Sequence, residues 1–158
     1  MENFNAKQVS YTYTQTNDAP PEKVFPLLCP VREKDWLPGW EHRLIYSVSG
    51  LAEDGCVFST PTATGGERTW MTTHFDPSSY TIAYAWVEPA MLAAQLRISL
   101  KPIPADKTHT HIRYIYTALS AAGNTAIAEY SPEWFQSRMQ HWERCINHYL
   151  LTGTLLKQ

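Results

Sequence analysis

Residues 131–153 read SPEWFQSRMQHWERCINHYLLTG, and this stretch decides the fold. Ser131 offers an N-cap hydroxyl, Pro132 sits in a first turn where no N–H is needed, and Glu133 favours the positive end of a helix dipole. Gly153 supplies the stop. Between them Phe135, Met139, Trp142, Ile146, Tyr149 and Leu150 recur at three- and four-residue steps, so they share one helical face. About 20 residues in this pattern make a helix about 30 Å long, enough to cross a whole small sheet.

Upstream lies the material for that sheet. From Glu41 to Leu119 the segments HRLIYSVS, CVFSTPTA, RTWMTTHF, YTIAYAWV, AQLRISLKP and HTHIRYIYTALS are short and rich in β-branched and aromatic residues. Turn-formers separate them, among them Ser49-Gly50, Asp54-Gly55, Gly65-Gly66, Asp76-Pro77 and Glu88-Pro89. With no helix between them, this spacing predicts an antiparallel meander. Leu96, Ile98 and Leu100 oppose Gln95, Arg97 and Ser99, and Ile112, Tyr114 and Tyr116 oppose His111 and Arg113, so one sheet face is buried and the other wet. VSYTYT (9–14) adds an N-terminal strand by its period of two. In NDAPPEKVFPLL, Asn17 or Asp18 can cap a helix, while Pro26 and Pro30 limit it to two short, kinked pieces ending near Pro38-Gly39. The expected architecture is α+β: a curved antiparallel sheet of about seven strands, two short helices and a long C-terminal helix gripped by the sheet, with residues 1–158 as a single domain.

The totals narrow the function classes. A net charge of -2 with interspersed signs gives a nucleic-acid backbone no basic stripe to meet, and an anionic membrane surface fares no better. No run approaches the roughly 18 apolar residues needed to span a bilayer, and the N-terminus lacks an apolar signal region. Cys29, Cys56 and Cys145 are odd in number and widely spaced, which predicts reduced thiols and a cytoplasmic location. Six Trp, nine Tyr and five Phe suit a lined cavity as well as a core.

Trp36-Leu37-Pro38-Gly39-Trp40 follows the proline-rich helices; Leu44-Ile45-Tyr46-Ser47, Gly55-Cys56-Val57-Phe58, Trp70 with His74-Phe75-Asp76-Pro77, and Thr117-Ala118-Leu119-Ser120 follow in turn. In this order of elements and residues the chain resembles the START/Bet v 1-like superfamily, particularly the polyketide cyclase/dehydrase-type members of its SRPBCC branch. The resemblance spans nearly the whole chain and rests on packing and turn residues. It implies a helix-grip fold with a cavity between sheet and helix, and names no reaction.

On that reading Trp36, Trp40, Trp70, Tyr84, Trp86, Tyr114 and Tyr116 line the cavity, with a solid aromatic core as the alternative. His74 shares strand parity with Trp70 and is the candidate acid or base, against a satisfied surface histidine before the Asp76-Pro77 turn. His141, Cys145 and His148 form a stripe on the last helix, read as a partly buried shoulder because one helix supplies all three; no metal and no cofactor are expected. There is no GxSxG, HExxH, phosphate loop or GxGxxG. Three functions remain: binding of a small hydrophobic or aromatic, lipid- or polyketide-like metabolite; a cyclase/dehydratase-type enzyme in the same pocket; or an interaction module with a solid core. The expected partner is a small hydrophobic molecule, with no nucleic acid and no membrane insertion, in a monomer or homodimer.

Overall fold

The computed structural model describes residues 4–157. The chain runs β1 (Gln8–Asn17), α1 (Pro21–Val24), a 3-10 turn (Phe25–Leu28), α2 (Pro30–Trp36), β2 (Arg43–Tyr46), β3 (Val57–Pro61), β4 (Glu67–Asp76), β5 (Thr81–Glu88), β6 (Leu92–Ile103), β7 (Lys107–Ala118), α3 (Ala121–Ile127) and α4 (Pro132–Thr152). The seven strands form one curved antiparallel sheet in the order β1-β7-β6-β5-β4-β3-β2. The meander from β2 to β7 is therefore closed by the N-terminal strand, which adds to its far edge.

Alternation builds the two faces. Leu92, Ala94, Leu96, Ile98 and Leu100 of β6 are buried while Gln95 and Arg97 are exposed; on β7, Ile112, Tyr114 and Tyr116 are buried. Each buried Leu or Ile side chain contributes about 1.5–3 kcal/mol by leaving water.

Each of the three short helical pieces starts on a proline at its first or second position. No side chain caps α1: Pro20 stands at its N-cap. Asn17, expected as a cap, instead ends β1 fully buried, accepting from Thr110 Oγ1 at 2.5 Å and donating to Asn147 Oδ1 of α4 at 3.3 Å. That bond, with Thr16 N–H donating to Glu143 Oε2 at 2.7 Å, ties the end of β1 to α4.

α4 begins and ends where its sequence signals stand. The Ser131 hydroxyl accepts from Trp134 N–H at 3.1 Å, and Gly153, at φ 71°, turns its N–H onto Tyr149 O at 2.7 Å. That left-handed φ favours glycine. Phe135, Met139 and Ile146 are buried, and Trp142, Tyr149 and Leu150 half-buried. Phe135 meets Tyr11 and Tyr114 at ring distances of 5.2 and 5.7 Å, and Trp142 meets Trp36 edge-on at 5.3 Å. α3 was not expected. Ser120 caps it through Gly123 N–H at 3.0 Å, and a Cβ on Gly123 would lie 2.0 Å from Met91 O, so the helix packs by its backbone on the β5–β6 turn. No helix among the described residues is long and apolar enough to cross a membrane.

Candidate functional site

Strand register stacks the concave face in rows. Trp70 opposes Trp86, Trp86 opposes Ala94, and Ala94 opposes Tyr116. One step along the strands, Tyr84, Leu96 and Tyr114 form a second row. Over these rows α4 contributes Trp134, Arg138 and Trp142, α2 contributes Glu33, and the following loop contributes Trp40. Between them lies a cavity of about 450 Å3.

Each wall is fixed by a visible constraint. Trp70 stacks on Phe58 at 5.3 Å and reaches Trp86 at 6.0 Å; Tyr114 and Tyr116 stack at 5.0 Å. Trp134 stacks on Tyr130 at 4.2 Å and meets Tyr116 edge-on at 5.9 Å. The α2 side is anchored by indole and phenol donors: Trp36 Nε1 to Leu27 O at 2.7 Å, Trp40 Nε1 to Pro30 O at 2.8 Å, and Tyr84 OH to Leu28 O at 2.8 Å.

Charge enters this aromatic enclosure at two places. Glu33 is 6% exposed, and its Oε2 has no hydrogen-bond partner among the described residues. Burial pushes its carboxyl well above the usual range, so the proton is retained where an ordinary carboxylate has lost it. A neutral carboxyl both donates and accepts, and can pass a proton to a bound oxygen or nitrogen. At the other place, the Arg68 guanidinium lies 4.1 Å from the Trp86 ring centre and Arg138 lies 5.0 Å from that of Trp134. Arg68 also donates to Tyr130 OH at 3.3 Å and approaches Glu88 at 3.5 Å. Burial raises the phenols of Tyr84 and Tyr116 and pushes Tyr114 up to about 12, so these hydroxyls stay protonated across the neutral range.

No protein-family model matches the chain, and no curated protein matches it by sequence. Solved structures do. Norcoclaurine synthase from Thalictrum flavum, in complex with dopamine and hydroxybenzaldehyde, superposes with a TM-score of 0.68 at 12% identity, over 92% of this chain and 88% of that one. Ara h 8.0201 gives 0.64 at 14% identity, over 92% and 99%. MLL2253 from Mesorhizobium loti gives 0.60 at 18% identity, over 89% and 98%. The fold is the Bet v 1-like helix grip.

Within the helix grip, Trp40, Trp70, Tyr84, Trp86, Tyr114 and Tyr116 stand in the cavity wall. Trp36 does not. It is fully buried behind the wall, bonded to Leu27 O and packed on Trp142, so it joins α2 to α4. The placement of His74 beside Trp70 is corrected too. A β-bulge between Thr72 and His74 shifts the register with β5, so Thr72 opposes Tyr84 but His74 opposes Ala83. One extra residue reverses strand parity. Phe75 then turns inward onto Phe25 at 5.8 Å, and His74 turns out, exposed and bonded to Thr81 Oγ1 at 2.8 Å.

Glu33, Arg68, Tyr130, Trp134 and Arg138 are among the wall residues that sequence reasoning missed. Glu33, Trp134 and Arg138 carried a signal. Pro30, Glu33 and Trp36 are the buried face of α2 at steps of three, which places a carboxylate inside an apolar stripe. Trp134, Arg138 and His141 recur at steps of four and three beside the apolar face of α4, all bordering the cavity. The stripe of His141, Cys145 and His148 divides differently. Cys145 is fully buried with its Sγ 3.6 Å from His141 Nε2, and His148 Nε2 lies 3.4 Å from Thr154 Oγ1. Among the described residues no group of three His, Cys, Asp or Glu side chains is placed to hold a metal ion. The three cysteines are buried free thiols.

Proposed function

We propose that the protein binds a small, planar aromatic or otherwise apolar metabolite, lipid- or polyketide-like in character, in the cavity between the sheet and α4. The observation that carries this is the enclosure itself: about 450 Å3 walled by Trp40, Trp70, Trp86, Tyr114, Tyr116 and Trp134. Rings of this kind bury large areas at little rotamer cost and present edges and faces to a flat guest. An interaction module can be solid inside, so a cavity of this volume favours the binding reading over that one. Norcoclaurine synthase holding dopamine and hydroxybenzaldehyde is a precedent for small aromatic guests in such a fold. Glu33 favours a second reading, a cyclase/dehydratase-type enzyme, because a neutral buried carboxyl bordering the cavity suits general acid chemistry. The three buried thiols fit work in a reducing, cytoplasmic setting.

Titration with N-phenyl-1-naphthylamine, followed by quenching of tryptophan emission, tests the binding reading. Saturable quenching is expected, and Tyr114→Ala should weaken it several-fold while circular dichroism stays native. A wild-type protein that does not respond sinks the proposal. Native mass spectrometry of freshly purified protein, read for a co-purifying small molecule, identifies the natural guest.

A further inference from the structure

We infer that the guest is an aromatic acid with an oxygen at its far end, its anionic group held by Arg68 and Arg138 and its distal oxygen hydrogen-bonded to Glu33. This rests on the reading of the cavity as a binding site and adds the guest's polarity and length.

The two arginines converge on one end of the cavity. Arg68, the second residue of β4, folds over Trp86; Arg138 stands one turn beyond Trp134 on α4. Tyr116 joins the two tryptophans, lying 6.3 Å from Trp86 and 5.9 Å from Trp134. The counter-charge paired there is Glu88, which reaches Arg68 at 3.5 Å; Glu41 also borders the cavity. Among the described residues Arg138 makes no ion pair. Tyr84 OH, which donates to Leu28 O at 2.8 Å, marks the α2 end of the cavity, where Glu33 stands in the wall.

Glu33 therefore belongs to the Tyr84–Leu96–Tyr114 row, and the arginines to the Trp86–Ala94–Tyr116 row and beyond. Neighbouring rows lie two residues apart, about 7 Å along a strand. Arg68 starts two rows from Tyr84 and reaches in by one, so the charged and acidic ends stand roughly 7–13 Å apart. A two-ring aromatic with substituents at opposite ends spans that distance. Glu33 is a buried polar side chain in the wall with an oxygen left unpartnered among the described residues. No described residue bonds that oxygen, which leaves it to the distal oxygen of the inferred guest.

The test uses three probes of one shape at pH 7: 2-naphthamide, 2-naphthoate and 6-hydroxy-2-naphthoate, compared by calorimetry. The naphthoate should bind about 10-fold or more tighter than its neutral, nearly isosteric amide, the contribution of a charge-assisted hydrogen bond. The 6-hydroxyl should tighten it several-fold again. Arg68→Gln with Arg138→Gln should collapse the acid-over-amide preference, and Glu33→Leu should remove the gain from the hydroxyl. An amide that binds as well as the acid, or a preference that survives both arginine substitutions, overturns the inference while leaving aromatic binding intact. If none of the three probes binds, aromatic binding itself fails and takes the inference with it. The wild-type ligand comparison decides even where a variant folds poorly.

Discussion

Glu33 and Glu53 are the same side chain placed on opposite terms. Glu53 stands in the connection between β2 and β3, where Ser47 Oγ, Ser49 N–H and Ser49 Oγ each donate to its Oε1 at 2.7 Å. Those bonds hold its carboxylate below the usual range. Glu33, buried on α2 with an unpartnered oxygen, is pushed the other way by desolvation alone. The first carboxylate organises a turn. The second gains nothing visible from the fold that surrounds it, and a buried polar atom left without a partner costs about 1–3 kcal/mol. The contrast separates a residue serving the structure from one whose buried oxygen finds no partner among the described residues.

The largest effect comes from removing the orphan acid. Glu33→Leu replaces a desolvated carboxyl with an apolar side chain in an apolar stripe, and should stabilise the guest-free protein by about 1–3 kcal/mol. In a chain of this size that raises Tm by roughly 2–4 °C per kcal/mol, readable by calorimetry. A fall in Tm would show that Glu33 serves the fold, and the contrast with Glu53 would break.

A smaller effect lies in the pH dependence. The folded pKa of Glu33 is raised above its unfolded value of 4.5, so the unfolded chain releases the proton first as pH rises. The penalty of burying its charge is absent below about 4.5 and grows as pH rises toward the folded pKa, so stability falls with a slope of up to about 1.4 kcal/mol per pH unit. Urea unfolding of the wild type against Glu33→Leu across pH 4–8 should show this slope in the wild type only. Parallel curves would remove Glu33 as its source.

Much of this was legible in the sequence, and the misses have physical causes. The Ser131 cap, the apolar steps from Phe135 to Leu150 and the alternation of β6 and β7 each depend on neighbours a few residues away, so local pattern reports them. His74 failed because a bulge leaves no local mark. THF reads as continuous alternation, and only pairing with Ala83 and Tyr84 shows the skipped residue. Trp36 failed for a related reason: a tryptophan behind a wall and one in it satisfy the same pattern. Glu33 was readable in principle, since a carboxylate between Pro30 and Trp36 on one helix face is out of place. Its partnerless oxygen, though, is a property of the assembled interior. Arg138 shares its spacing with Trp134 and His141, but only the cavity beside α4 separates it from an ordinary solvated helix charge.

The smallest effect sharpens the comparison from the other side. Because the three donors converge on one oxygen, Glu53→Gln can keep an acceptor at that position and lose only the charge. A depressed folded pKa means that the carboxylate's contribution is present above its unfolded value of 4.5 and lost as pH falls through the folded pKa. Glu53→Gln should therefore be slightly less stable than the wild type at neutral pH, by less than Glu33→Leu gains, and the difference should close in acid. The sign of each pH trend is then opposite for the two glutamates, measured by the same urea titrations. If Glu53→Gln matched the wild type at neutral pH, the turn would need only an acceptor and not an anion. If it were the more stable of the two, the hydrogen bonds to Glu53 would not be offsetting its charge, and the distinction between a partnered and an orphan carboxylate would fail.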